Sequence, residues 1–192
     1  MKFRLLIAAS AVLVSACVSV LPEPEVPNGL YRLGNIQPSA SLTRNLVVRE
    51  PEGGRVFGGK TLASESEDGA LRLIRGAEWA EPASRMLQIG LLDAFGTDGG
   101  GVAVEKGVGA PGELELAWRM SDFTVSGVTA RCELELTHLN GRTREPIMQR
   151  HVETVASVES NKPGDRANAL AEAAEECIQE TASVIAAVDA GL

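Results

Sequence analysis

The first sixteen residues limit which part of the chain folds. Lys2 and Arg4 precede an almost uninterrupted apolar run over residues 5–14, which is followed by small residues. A basic start, a short apolar stretch and small residues at its end are typical of a secretory signal peptide. The run is about half the roughly 20 residues that a membrane-spanning helix needs. We therefore predict that residues 1–16 are a lipoprotein signal peptide and that the folded domain lies after them.

The end of this signal predicts lipid attachment. Val14-Ser15-Ala16-Cys17 resembles a bacterial lipobox, in which the cysteine thiol is acylated and the cysteine becomes the mature N-terminus. Acyl chains contribute about 0.8 kcal/mol for each buried methylene, so several of them anchor a protein stably. The alternative is an ordinary signal peptide with a cysteine at the cleavage site. Because Val18 replaces the aspartate of an inner-membrane retention signal, we expect an outer-membrane anchor that faces the periplasm.

Residues 17–29 predict a lipidated N-terminus followed by an extended tether. Pro22, Pro24 and Pro27 lie in this stretch, which shows neither a helical nor a strand period, and proline-rich segments act as semi-rigid spacers. The formal charge of the whole chain is -8. Such an acidic balance argues against a nucleic-acid partner, because phosphate binding requires clustered Lys and Arg.

The remaining two cysteines are Cys132 and Cys177. An even pair in an oxidising compartment is a candidate disulfide. Two separately buried thiols are the alternative, and the residues alone leave both open.

The rest of the chain alternates strand-like and helix-like patterns. Asp68-Gly69 and Asn140-Gly141 are hairpin signals, and the second predicts a type I′ turn. We predict helices over residues 82–95 and 163–189 from their helical apolar period. The predicted strands are Leu30–Ile36, Leu42–Glu50, Lys60–Glu67, Ala70–Trp79, Val102–Glu105, Glu113–Ser126, Val128–Leu139 and Arg142–Val158.

This order predicts an α+β fold over residues 30–192. We expect a single domain with a mostly antiparallel sheet and two helices packed on one face, because hairpins outnumber crossovers. Cys132 alternates with Leu134 and Leu136, and Cys177 lies on the apolar stripe of the last helix. Both thiols are therefore predicted to point inward.

Two glycine-rich matches do not predict nucleotide binding. Residues 54–61 (GRVFGGKT) fit the P-loop pattern, but a P-loop requires a helix to begin at the Lys-Thr pair, whereas Lys60 is predicted to begin a strand. Residues 107–112 (GVGAPG) fit G-x-G-x-x-G but lead into a strand rather than a helix. We expect no nucleotide and no cofactor.

No group of residues predicts catalysis or a metal site. His138 and His151 flank the Asn140-Gly141 turn, and we expect both to be solvent-facing strand residues outside any zinc-type spacing. Glu113 and Glu115, like Glu133 and Glu135, alternate with neighbouring residues as on a solvated strand face. We therefore expect a protein that is not an enzyme.

Two aromatic residues are candidates for contact with a partner or ligand. Trp79 stands where a predicted strand passes into the first helix, and Tyr31 lies just after the tether. In a chain with only 4 % aromatic residues each large ring matters to packing. A core position is therefore the alternative for Trp79.

The order of short motifs resembles the ABC-type transport auxiliary lipoproteins, the family of PqiC-like outer-membrane lipoproteins. The motifs are the lipobox at Cys17, Leu30–Leu33 after the tether, Asn45–Val48 before Pro51, Glu78–Pro82 leading into Met86-Leu87-Gln88, and Phe123 in the following long strand.

The resemblance implies a non-catalytic docking or tethering subunit. It implies work with an MCE-domain protein and an ABC transporter in lipid movement across the envelope, and it makes a homo-oligomer a candidate assembly. The second hypothesis is an envelope module that carries lipid or another amphiphile between helices and sheet.

Overall fold

The computed structural model describes residues 27–109 and 112–191. The predicted signal peptide, Cys17 and the tether as far as residue 26 lie outside the described residues. The elements in chain order are β1 (Gly29–Tyr31), β2 (Ala40–Ser41), β3 (Leu46–Val48), α1 (Arg55–Gly58), β4 (Thr61–Glu65), β5 (Leu71–Trp79), α2 (Ala83–Asp93), β6 (Phe95–Gly96), β7 (Ala103–Glu105), β8 (Leu114–Ser126), β9 (Thr129–Asn140), β10 (Pro146–Ser157) and α3 (Pro163–Asp189).

The chain folds into one α+β domain whose main sheet is mixed, and this corrects the prediction of a mostly antiparallel sheet. The pairs β4–β5, β8–β9 and β9–β10 are antiparallel. The pairs β1–β5, β3–β7, β3–β8 and β4–β8 are parallel. Strand β8 is long enough to pair with β3 along its first half and with β4 along its second. Turn signals in a sequence predict only strand pairs that are joined by a short loop. Parallel strands are joined by long connections, so no turn signal predicts them.

Three helices form rather than the two predicted. The additional helix, α1, is a single turn closed by the Phe57 and Gly58 amides, which donate to the Gly54 carbonyl at 3.0 and 2.9 Å. One turn is too short to show an apolar period. The two predicted helices are confirmed as α2 and α3, and the predicted end of α3 at Asp189 is correct.

The connection between β9 and β10 is longer than predicted. Asn140 ends β9, and its side-chain oxygen accepts hydrogen bonds from the Arg142 and Thr143 amides at 2.9 and 3.0 Å. Strand β10 begins only at Pro146. The antiparallel return is confirmed, but a longer loop replaces the two-residue type I′ turn because the Asn140 side chain caps the turning backbone.

The core lies between the sheet and the two long helices. α3 packs on β5, β8, β9 and β10, and α2 lies against α3 and β7. Gly90 allows α2 to approach α3 closely, because a Cβ there would lie 2.7 Å from the Ile178 Cδ1 atom. Among the described residues, no helix has the length and apolarity needed to cross a bilayer.

Candidate functional site

A surface groove lies where Pro27 and Asn28 meet strand β5. The Asn28 amide donates to the Gly76 carbonyl at 3.0 Å, and β1 then continues in parallel along β5. Pro27 and Asn28 line one side of this groove, which has a volume of about 530 Å³, and Leu73 and Arg75 of β5 line another part. The segment that leads from Cys17 therefore joins the domain at the edge of the sheet.

Tyr31 connects this edge to the last helix. Its side chain is half-buried against the core. A Cβ atom at Gly164, in the first turn of α3, would lie 2.7 Å from the Tyr31 hydroxyl oxygen. The Tyr31 carbonyl accepts a hydrogen bond from the Ala80 amide at 2.7 Å. The residue thus holds the entering strand against both β5 and α3, and part of its ring stays accessible.

Trp79 lies in the core, which is one of the two positions predicted for it, rather than on a surface where a partner or ligand could contact it. It is 1 % exposed, and its ring stacks on that of Phe123 with centroids 5.6 Å apart and planes 14° apart. Strand β5 turns Ala77 and Trp79 towards the core by alternation, and α3 packs on this strand. The core alternative for Trp79 is the one observed.

Cys132 and Cys177 lie together at the centre of the core. Both are fully buried, on β9 and α3, and both are free thiols in the structure. The Cys177 sulfur lies 3.6 Å from the Cys132 carbonyl oxygen. A hydrogen bond with Cys177, followed by burial, raises the pKa of the Cys132 thiol well above its ordinary value. The predicted inward orientation of both cysteines is confirmed, and their disulfide stays a prediction.

The opposite side of β8, β9 and β10 carries the charged residues. We call this side the open face: it comprises Arg119, Asp122, Arg131, Glu133, Glu135, His151, Glu153 and Val155. Ligand atoms of Glu133, His151 and Glu153 lie within 4.8 Å of one another. Within residues 27–109 and 112–191, these three residues form a group that could hold a metal ion. However, the Arg131 Nη1 atom already lies 3.2 Å from Glu133 and 3.4 Å from Glu153.

His138 lies inside the protein, which corrects the prediction of a solvent-facing residue. It is 0 % exposed, and neither ring nitrogen has a hydrogen-bond partner among the described residues. Burial lowers the pKa of His138, the Arg44 charge lowers it further, and the Asp189 charge opposes them. The signal was present in the sequence, because His138 alternates in step with the buried Leu134 and Leu136.

Asp189 fastens the end of α3 to the loop between β2 and β3. Its carboxylate accepts hydrogen bonds from the Thr43 amide, from the Thr43 hydroxyl at 2.8 Å and from Arg44 Nε at 2.8 Å. Burial favours the neutral acid, but the Thr43 amide and the Arg44 side chain outweigh it and hold the pKa of Asp189 below its ordinary value. No sequence pattern predicts this contact, because its residues are about 145 positions apart.

Glu115 also departs from the predicted solvated face. It is 7 % exposed and accepts hydrogen bonds from Arg49 and Arg144. These two arginines come from the end of β3 and from the β9–β10 loop. They cover the carboxylate and supply the charge that its burial requires.

The two glycine-rich segments lack the local structure of a nucleotide site. Strand β4 begins at Thr61, so the Lys60-Thr61 pair leads into a strand, as predicted. Gly107 and Gly109 have φ angles of 122° and 76°, and β8 begins after them at Leu114. The short helix α1 ends before Lys60, and in the described residues no helix begins at Lys60-Thr61 or directly after Gly109, where phosphate binding would need backbone amides directed at the loop.

Comparison with protein families decides the relationship. The family model described as the ABC-type transport auxiliary lipoprotein component matches residues 33–186. The chain belongs to this family. In this auxiliary lipoprotein the match spans every element from β2 to most of α3. It begins after the predicted lipidation site, so it describes the domain and not the anchor.

Solved structures share the fold of this auxiliary lipoprotein. A Xanthomonas campestris protein of the family DUF330 is 19 % identical with a TM-score of 0.69, and the match covers 86 % of this chain and 95 % of that one. An uncharacterized protein matches with 15 % identity, a TM-score of 0.62 and coverage of 83 % and 99 %. The hypothetical protein CT253 from Chlamydia trachomatis matches with 8 % identity, a TM-score of 0.54 and coverage of 78 % and 99 %. Comparison with curated proteins gives no match.

Proposed function

We propose that this auxiliary lipoprotein is a non-catalytic docking or tethering subunit of an MCE/ABC-type intermembrane lipid transport system. Acyl chains on Cys17 anchor it in the outer membrane, and its domain faces the periplasm. The observation that carries the proposal is the family match over residues 33–186, on a domain whose sequence is preceded by a lipobox.

The position of the chain entry supports a tethering role. The segment that follows Cys17 joins the domain at β1, an edge strand, where Asn28 pairs with Gly76. A lipid anchor at Cys17 therefore restrains one edge of the sheet near the membrane, while the rest of the domain remains free to contact a periplasmic subunit.

The packing between helices and sheet disfavours the carrier hypothesis. A lipid carrier requires an apolar cavity there, as is usual for small-molecule sites. In the described residues this layer is filled by fully buried side chains, among them Leu87, Leu134, Leu136, Leu170 and Ile178. The groove beside β5 lies at the edge of the sheet, lined by Pro27 and Asn28, and not between helices and sheet.

Mild crosslinking of the lipidated protein in intact envelopes tests the proposal. Capture of a tagged full-length chain is expected to recover an MCE-domain protein together with ABC transporter subunits, identified by mass spectrometry. The matched control is Cys17→Ser, which keeps the domain but removes the acylated sulfur. Recovery from this variant is expected to fall, because the domain is no longer held at the membrane.

Two results would count against the proposal. One is the absence of any MCE-domain protein from the crosslinked material. The other is a bound lipid retained by the domain in native mass spectrometry, which would favour the carrier hypothesis. Lipid-free domain together with a recovered MCE-domain partner supports docking.

A further inference from the structure

The open face lies on the side of β9 and β10 that is opposite the helices. Strand β9 turns Cys132 and Leu134 towards the helices and Arg131 and Glu133 to the opposite side. The side chains of Arg131 and Glu153 are both more than two-fifths exposed. Antiparallel strands commonly leave one face to solvent, so exposure alone does not identify a binding site. The arrangement of charge on this face is the more specific feature.

Three carboxylates on this face share one guanidinium group. Arg131 Nη1 lies 3.2 Å from Glu133 and 3.4 Å from Glu153, and its Nε atom lies 4.0 Å from Asp122. The next ion pair along the strands, Arg119 with Glu135, joins one positive to one negative group at 2.8 Å. The cluster around Arg131 is therefore negative, whereas its neighbour is balanced.

This placement is unfavourable for the isolated domain. Glu133 and Glu153 stand directly opposite each other in the β9–β10 register, and like charges at such positions destabilise a sheet. Burial raises the pKa of Asp122, and the Glu133 charge adds to the shift. Arg131 offsets only part of this negative charge, and departures from a local rule that the fold does not fully compensate are expected at functional sites.

Aliphatic side chains flank the cluster on the same face. Val155 is the register partner of Arg131 and is 51 % exposed. Leu73 is 57 % exposed, and the pairings through Ala63 and Thr124 place it in the same row on the other side of Arg131. The surface thus offers a negative centre with an apolar residue at each end of the row.

We propose, resting on the docking function above, that the open face binds a segment of the partner subunit that carries Lys or Arg side chains beside aliphatic ones. The basic groups meet Asp122, Glu133 and Glu153, and the aliphatic groups pack on Val155 and Leu73. An anionic lipid headgroup is repelled by the same carboxylates. A metal ion would have to displace Arg131 from between Glu133 and Glu153.

Photo-crosslinking tests which surface meets the partner. The lipidated full-length chain carries a photoreactive amino acid in place of Val155, and the matched control carries it in place of Glu176, an exposed residue of α3. The probe is the MCE-domain protein recovered in the capture experiment. The expected result is a crosslink from the Val155 position to a Lys- or Arg-bearing peptide of that protein, and none from the Glu176 position.

A charge series measures the contribution of the cluster. Glu133→Gln combined with Glu153→Gln is expected to weaken binding of the same probe about fivefold, because two partly exposed ion pairs with the partner are lost, and to make binding less sensitive to salt. Glu172→Gln combined with Glu176→Gln, on exposed positions of α3, is the control and is expected to change binding less than twofold. Thermal melts of both double variants verify that the domain stays folded.

Several results would overturn the inference. They are a crosslink from the Val155 position to a second copy of this chain, a crosslink from the Glu176 position alone, and equal binding by the two double variants. Loss of binding on addition of EDTA would assign the cluster to a bridging metal ion instead. Because the wild-type chain must first capture the probe, failure there refutes the docking function itself, whereas failure only in these variants refutes only the open face.

Discussion

Oxidation of the core cysteine pair has a large expected effect on stability. We predict that Cys132 and Cys177 form a disulfide when the protein folds in the periplasm. Each thiol loses its proton, and the pair transfers two electrons to a disulfide oxidant, whose own disulfide is reduced. The bond would join α3 to β9, and the Cys177 sulfur already lies 3.6 Å from the Cys132 carbonyl oxygen.

The size of the effect follows from the loop that the bond closes. The two cysteines are separated by 45 positions. Closing a loop of this length restricts the unfolded chain and raises the free energy of unfolding by about 4 kcal/mol. This corresponds to about a thousandfold change in the unfolding equilibrium.

Burial also determines when the bond can form. The hydrogen bond with Cys177 and burial raise the pKa of Cys132, and the thiolate is the reactive form of cysteine. The folded, reduced domain is therefore expected to resist oxidation. A chain folded with an oxidant present is expected to acquire the bond, whereas a chain folded in reductant and oxidised afterwards is expected to remain reduced for hours.

Peptide mass spectrometry and urea unfolding check this prediction. The protein is taken from envelopes without reductant, alkylated in denaturant and digested, and the peptides of Cys132 and Cys177 are expected to be crosslinked. Reductant is expected to lower the free energy of unfolding by about 4 kcal/mol. The control is the variant with both cysteines changed to alanine, in which reductant is expected to have no effect. Alkylation of both cysteines in the unreduced sample would refute the bond.

Three further changes test other parts of the molecule. Burial lowers the pKa of His138 from its ordinary value of 6.5. As the pH falls, the unfolded chain therefore binds a proton at this histidine before the folded chain does. Stability is therefore expected to fall below about pH 6.5, by up to about 1.4 kcal/mol per pH unit. Urea unfolding of His138→Gln at a series of pH values is expected to show a flatter dependence of stability on pH, and an unchanged dependence would contradict this role of His138. Asp189→Ala is expected to lower the free energy of unfolding by about 2–3 kcal/mol in the same assay, since it removes a charged acceptor from Thr43 and Arg44. A loss below about 0.5 kcal/mol would show that these hydrogen bonds do not hold the end of α3 in place. Cys17→Ser is expected to abolish incorporation of labelled palmitate, and normal labelling would refute the lipobox.

Elements built from local contacts were predictable from the sequence. The apolar period of residues 163–189 gave α3 at its observed bounds. The Asp68-Gly69 turn gave the antiparallel pair β4–β5. In both cases neighbours in sequence are neighbours in space, so propensity and periodicity carry enough information.

Pairings between distant segments were not predictable in the same way. Strand β8 receives β3 and β4 in parallel on one edge, from segments about 60 positions earlier in the chain. Strand β3 shows the necessary apolar residues, Leu46 and Val48, but nothing in them specifies direction or partner. Likewise, Asp189 meets Arg44 only because the fold returns α3 to the start of the domain.

On the open face, the alternation of residues along a strand predicts which side a charge lies on but not which charges become neighbours across strands. Alternation placed Glu133 and Glu135 correctly on the side away from the helices, but it makes the two residues equivalent. The register distinguishes them: Glu135 pairs with Arg119, whereas Glu133 lies opposite Glu153 of the neighbouring strand β10 and shares Arg131 with it. A partner responds to this local density of charge rather than to the number of charged residues in a strand. For this reason the net charge of the sequence indicates no docking surface, and the inferred one emerges only from the pairing of the strands.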